Sequence, residues 1–485
     1  MDQIQLVKFS IEVSNEMTTF KVEIYQLRRQ KLVQQVKSGL ILLLGNVDSP
    51  FNSADNCYRF RQASSFLYFC GLDSPGLAVL VDAETGREIL FGKQQSLDDV
   101  IWSGPQPTLQ HKAEQVGIAE VAPVSDLKNL LSASIAAGRT VHYLPTCRAE
   151  NKIILGGLLG KSITDVDKDV SISLIKAVVA LRSIKGEEEI VELEAAADLG
   201  YQLHTTAMKM ARAGVYEWEI SGELEAVAAR AGRMLSFPPI VTIHGETLHN
   251  HQRNNQLQDG DLLLVDCGAE SCLHYASDHT RTVSVGGKFS PRQRDIYQVV
   301  LAVMSRAREL IRPGIAYLDV HLAACRTLVE GLHSLGLMHG GVDQAVAAGA
   351  HALFMPHGLG HMLGLDVHDM EDLGEDYVGY DGTIQRSTQF GFSGLRLGRE
   401  LQEGFVLTVE PGIYFIPKLI EQWKNEGRHA EFINYARLSE YLKFGGIRLE
   451  DDLLVTNQGS RLLGQPIPLQ IEEIENGTGL SLTAC

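Results

Sequence analysis

Leu257-Gln258-Asp259-Gly260-Asp261-Leu262-Leu263-Leu264-Val265-Asp266-Cys267-Gly268 and Leu401-Gln402-Glu403-Gly404-Phe405-Val406-Leu407-Thr408-Val409-Glu410-Pro411-Gly412 nearly repeat each other. Each reads as an acidic-Gly turn, an apolar β-rich run, a carboxylate and a stop at Gly. A carboxylate at the end of a buried strand is costly unless it is paired or bound to a metal. The same offset in both stretches predicts a duplicated scaffold that brings two acids to one centre, and a metal site is the expectation there.

Working outward from the first stretch, Ala276-Ser277-Asp278-His279-Thr280-Arg281-Thr282-Val283 follows after a short turn, so strand, hairpin and strand would set Asp278 beside Asp266. Downstream, His357-Gly358-Leu359-Gly360-His361 and Leu365-Asp366-Val367-His368-Asp369 put three histidines in a Gly-rich stretch that disfavours a regular helix. The letters are not H-E-x-x-H, which excludes a zincin helix. A last acid, Glu450, sits at the edge of a strand pattern in Gly446-Ile447-Arg448-Leu449-Glu450-Asp451-Asp452. Asp266, Asp278, Glu410 and Glu450 carry the charge that balances two divalent cations. With one imidazole they form a set of hard oxygen donors suited to manganese, magnesium, cobalt or zinc. Two such ions make a nucleophile from water near neutral pH and clamp a tetrahedral intermediate, so hydrolysis is the expected chemistry.

The chain has 485 residues, enough for two domains, and its 45% hydrophobic and 21% charged residues are those of a soluble globular protein. Its net charge of -17 opposes binding to nucleic acid or to an anionic membrane surface. The cysteines (Cys57, Cys70, Cys147, Cys267, Cys272, Cys325, Cys485) are odd in number and lack C-x-x-C spacing, which points to a reducing compartment. The N-terminus, with Lys8, Glu12, Glu16, Lys21 and Glu23, has no apolar core of signal-peptide length, and no later run reaches the length of a membrane span. A cytoplasmic location is expected.

The pattern predicts an amphipathic helix from Thr18 to Ser38, a buried strand at 39–45, and a hairpin of 77–82 with 88–91, making the first part mixed α/β. Ser183-Ile184-Lys185-Gly186-Glu187-Glu188-Glu189-Ile190 marks a boundary, with acids at a helix start and a helical pattern through Met210. Further helices are expected from Glu217 to Arg233, over 291–311 and over 317–335. Strands should return after His351, and the polar tail beyond Gly459 reads as loosely attached. The expected domains are 1–182 and 186–470, with a polar tail at 471–485.

VDCG (265–268), YASDHTRT (275–282), HGLGH (357–361), LDVHD (365–369), TVEPGIY (408–414) and GIRLED (446–451) together resemble the metallopeptidase family of prolidase, aminopeptidase P and methionine aminopeptidase. The resemblance covers about 186 to 458 and implies an α/β (α+β) chain. Its C-terminal pita-bread domain would follow a smaller mixed α/β N-terminal domain, which 60–71 also resembles. It implies Asp266, Asp278, His361, Glu410 and Glu450 as ligands of two divalent ions, manganese first. His249, His357 and His368 would be active-site histidines, and Arg448 would orient a ligand carboxylate. Tyr414 would lie near the substrate. Two departures stand out: the Asp266 to Asp278 hairpin is one residue longer than in commoner members, and His279 stands where Ile is usual.

The substrates implied are short proline-containing peptides cut at the Xaa-Pro bond, by an enzyme that is a homodimer or homotetramer. Arg396 falls where prolidases grip the free carboxylate of a C-terminal proline, and the long segment between Glu410 and Glu450 also resembles prolidase. Xaa-Pro dipeptidase is therefore the first expectation and Xaa-Pro aminopeptidase the alternative. A peptide-binding pita-bread protein without metals, or one cutting a non-peptide bond, is disfavoured by the intact ligand set.

Overall fold

The computed structural model describes residues 19–479. The helix expected from Thr18 spans Val22–Val36. Thr18, Lys8, Glu12, Glu16 and Cys485 lie outside the described residues. In the N-terminal part the buried strand Leu40–Leu44 lies antiparallel to Ala78–Asp82, which forms the expected hairpin with Glu88–Gly92. Val141–His142 and Glu120–Pro123 add to the two edges in parallel, giving a mixed five-stranded sheet. Alternate residues explain its two buried faces. Leu40, Leu42, Ala78, Leu80, Ile89 and Phe91 meet Leu127, Leu131 and Leu155 of covering helices, while Ile41, Leu43, Val79, Val81 and Leu90 face the main core.

The C-terminal part shows the duplication as matched hydrogen bonds. Helix Glu187–Met210 turns through Gly214 into Glu217–Arg230, and Pro291–Leu310 turns through Gly314 into Tyr317–Ser334. Gly214 N–H donates to Leu257 O and Gly314 N–H to Leu401 O. Leu257 and Leu401 return the bond to Val215 O and Ile315 O. Gly260 and Gly404, with φ of 88° and 86°, then turn the chain into the strands Leu262–Cys267 and Val406–Val409. That left-handed conformation strains any side-chain-bearing residue, which is why glycine recurs there.

The two halves meet at the second strand of each. His279–Ser284 pairs with Leu262–Cys267, placing Thr280 opposite Asp266. Asp451–Thr456 pairs with Val406–Val409, and its Val409–Asp451 register places Glu410 opposite Glu450 one step on. An antiparallel bridge, Thr280 to Glu450, joins the two ladders. Gly412–Tyr414 and Gly446–Arg448 pair with each other as a separate two-stranded sheet.

The two domains are tied by buried charge. Arg182, at the end of helix Ile172–Arg182, pairs with Asp366 and Asp369, and Lys185 pairs with Asp369. The long turn after Asp266 reaches the N-terminal domain through Arg61–Glu270 and His274–Asp73. Among the described residues no helix is long and apolar enough to cross a membrane.

Three expectations need correction. The helix read to Arg233 ends at Arg230. Between His351 and Val406 the chain forms turns and short helices rather than strands, in keeping with its glycines. The tail is not loose over its described part: Gly459–Leu462 pairs with Asp451–Thr456, and helix Ile471–Gly477 buries Ile471 and Ile474. Two apolar residues three apart on a short helix, with Glu475 paired to Lys288 and Arg294, anchor a segment that polar composition made look free.

Candidate metal centre

Each acid is delivered by a strand end. Asp266 is the penultimate residue of an entirely buried strand, and Asp278 immediately precedes His279–Ser284. Their approach depends on Gly268, where a Cβ would lie 1.8 Å from Ser277 O. Glu410 follows Val406–Val409, and Glu450 lies between Arg448 and Asp451, its N–H donating to Thr280 O. Thr280 Oγ1 donates to Glu450 Oε2 at 2.7 Å, so the bridge between the halves also fixes that carboxylate.

His361 enters from the glycine-rich loop, which Thr408 holds through Oγ1 to His361 N–H and through its own N–H to His361 O. A Cβ on Gly360 would lie 2.0 Å from Thr408 O, so this loop too comes that close only with glycine. His361 Nδ1 lies 3.0 Å from Met362 O. A carbonyl only accepts, so Nδ1 carries the proton and Nε2 is left with a lone pair. That nitrogen is 3.5 Å from Asp278 Oδ2 and 3.8 Å from Glu410 Oε1. Donor atoms of Asp278, His361 and Glu450 all lie within 4.8 Å of one another.

The electrostatics fit a missing positive charge. Burial, reinforced by the neighbouring carboxylates, pushes Asp278 and Glu450 well above the usual carboxylate range and Glu410 up to about 8. Among the described residues Asp266 Oδ1 and Asp278 Oδ1 have no hydrogen-bond partner and are buried. Unpaired buried carboxylate oxygens facing a neutral imidazole are what a divalent cation satisfies, so the donor set fits.

Around it, Arg448 is buried and touches Asp266 Oδ2, Thr280 Oγ1 and Tyr414 OH. Tyr414 OH also lies 2.9 Å from His357 Nε2, while His357 Nδ1 donates to Gly358 O. Burial lowers His357 and His361 to about 4, leaving both neutral. His368 packs against His361, ring centroids 4.2 Å apart, with Nδ1 on Glu371 Oε2 at 2.8 Å. Arg396 touches Glu371 and lies 2.7 Å from Glu375, lining a small pocket with His361 and His368. His249 is on the exposed rim, where its ionisation is lowered by burial and then by Arg448, with Asp266 opposing. A separate cavity of about 440 Å³ lies between the domains and contains none of these donors.

Sequence reasoning passed over Asp452, whose Oδ2 accepts the Asp278 N–H and which is buried behind that residue. The signal was present in the three consecutive acids Glu450-Asp451-Asp452 at the mouth of an apolar strand. His279 points away from the donors, 3.6 Å from Asp452 and into space left by Gly200, whose Cβ would lie 2.7 Å from its Nδ1.

The family model described as metallopeptidase family M24 matches residues 191–457, and that of the aminopeptidase P N-terminal domain matches 25–142. The Xaa-Pro aminopeptidase of Escherichia coli is 33% identical over 93% of this chain and 96% of its own. The Xaa-Pro dipeptidase of Homo sapiens is 30% identical over 96% and 95%. Proline aminopeptidase P II from Yersinia pestis superposes with a TM-score of 0.78 at 28% identity, covering 95% of this chain and all of that one. Sequence, fold and donor set therefore agree that the chain belongs to metallopeptidase family M24.

Proposed function

We propose that the chain hydrolyses the Xaa-Pro bond of short peptides as an Xaa-Pro dipeptidase. The observation that carries the peptidase reading is the convergence of Asp278, His361 and Glu450 beside the unpartnered oxygens of Asp266 and Asp278. Asp266, Asp278, His361, Glu410 and Glu450 would hold two divalent ions, manganese first and cobalt, zinc or magnesium after it. When bound, the ions supply Lewis acidity that activates water and polarises the scissile carbonyl.

The remaining steps belong to the chain's own residues. Arg448 holds Asp266 in orientation and, through Tyr414 OH, fixes His357 Nε2. His357, whose Nδ1 proton lies on Gly358 O, thus keeps an Nε2 lone pair that accepts from Tyr414 OH and would take up a proton beside the reacting carbonyl. His368, oriented by Glu371, and His249 on the rim would relay a proton to the departing proline nitrogen, a tertiary amide that must be protonated to leave. Arg396, a short distance from His368, receives the free proline carboxylate, which supports a substrate ending at proline.

Arg396 already engages Glu371 and Glu375, and a 33% identical relative is an Xaa-Pro aminopeptidase; these favour aminopeptidase action as the second reading. The proposal includes a homodimeric or homotetrameric assembly in the cytoplasm. The test is hydrolysis of Gly-Pro, Ala-Pro and Arg-Pro-Pro by metal-stripped protein with manganese restored. Cleavage of the dipeptides alone, with KM raised in Arg396→Ala, is expected. Comparable cleavage of Arg-Pro-Pro would instead establish the aminopeptidase, and no cleavage with manganese bound would overturn both readings.

A further inference from the structure

His321 and Cys325 lie one turn apart on helix Tyr317–Ser334, so both side chains leave the same face. His351, in the short helix Ala350–Leu353, meets them from the other side. All three are fully buried, and one donor atom from each lies within 4.8 Å of the others. None of them is among the residues assigned above to metal or peptide.

The alternative to a site is a set of satisfied core side chains. Among the described residues His351 has no hydrogen-bond partner on either ring nitrogen, and His321 none on Nδ1. Buried imidazole nitrogens are ordinarily paired, and an unpaired one costs free energy. The surroundings are apolar: Phe392 lies edge-on to both rings, with centroids 5.5 Å from His321 and 4.9 Å from His351.

The distances suit a metal. Cys325 Sγ is 3.6 Å from His321 Nε2, a weak sulfur hydrogen bond that satisfies neither His321 Nδ1 nor His351. Bonds of about 2.3 Å to sulfur and about 2.0 Å to nitrogen, meeting at a tetrahedral angle, separate the two donors by about 3.5 Å. Two imidazoles and a thiolate favour zinc or cobalt over manganese or magnesium.

We propose that His321, Cys325 and His351 form a second, non-catalytic site for a thiophilic divalent ion of the zinc type. The Cys325 thiol loses its proton to solvent as the sulfur–metal bond forms, so uptake releases acid. The ion would staple helix Tyr317–Ser334 to the segment that leads from His351 to His357, and so brace one wall of the peptide site.

Full-length protein loaded with manganese is titrated with cobalt(II). Because the carboxylate centre contains no sulfur donor, a near-ultraviolet thiolate-to-cobalt charge-transfer band reports this site alone. The band is expected to appear with one equivalent, to be displaced by zinc, and to be lost in Cys325→Ala while persisting in Cys267→Ala. Elemental analysis after dialysis against zinc gives a second reading, one zinc fewer in Cys325→Ala than in the parent protein. Absence of the band at saturating cobalt, or its persistence in Cys325→Ala with unchanged zinc content, would overturn the proposal.

Discussion

Arg448 is buried on a short strand, and its guanidinium spans Asp266, Thr280 and Tyr414. A lysine there keeps the charge but cannot make three directional contacts at once. Arg448→Lys should therefore fold yet lose about 10–100-fold in manganese affinity or activity, read by metal titration and peptide hydrolysis. That Asp266 and Glu410 serve one centre could be anticipated from sequence because an acid at the end of an apolar run stands out against its neighbours, whereas His361 was implied only by the family resemblance. Asp452 was less visible because an acid inside a run of acids reads as a solvated edge. Its burial follows only once the strand from the other half covers it and Asp278 N–H supplies a partner.

Strands that cross this closely impose demands on backbone more than on side chains. Gly268 is needed because a Cβ there would sit 1.8 Å from a carbonyl oxygen of the adjoining strand. Gly268→Ala should force the Asp266 and Asp278 strands apart, costing about 1–3 kcal/mol. Urea unfolding measures that loss, and metal titration of the surviving fold should show weaker binding. The duplicated pattern at 257–268 and 401–412 made the strand pair and its turns legible in advance. The loop over 350–405 was not, since its glycines and short helices follow long-range contacts with Thr408 and Tyr414 that no local period encodes. The His279 departure is likewise resolved only in three dimensions, where Gly200 on the first long helix makes room for it.

The two domains are held in register by Asp369, buried against Arg182 and Lys185 and adjacent in sequence to His368. Removing one member of a buried charge set strands the others, so Asp369→Ala should cost about 3–5 kcal/mol in denaturant unfolding. The molecule is also acid-sensitive by construction. Burial lowers His204, His279 and His321 to about 3 and His351 to about 4. The unfolded chain takes up these protons near pH 6.5, so stability present above that pH is lost as pH falls through the folded values. In chelator the raised Asp278, Glu410 and Glu450 act in the opposite direction, so the test uses manganese-loaded protein, whose Tm should fall from about pH 7 to about pH 4. Finally, the bridge from Thr280 to Glu450 sets a schedule for the newborn chain. At about 5–20 residues per second, a ribosome that has made Asp266 works on for roughly 10–40 s before Glu450 exists. Asp266 and Asp278 therefore spend that interval without their partners, and metal loading becomes an event that follows synthesis. A stalled chain ending before Glu450 should retain no manganese on gel filtration.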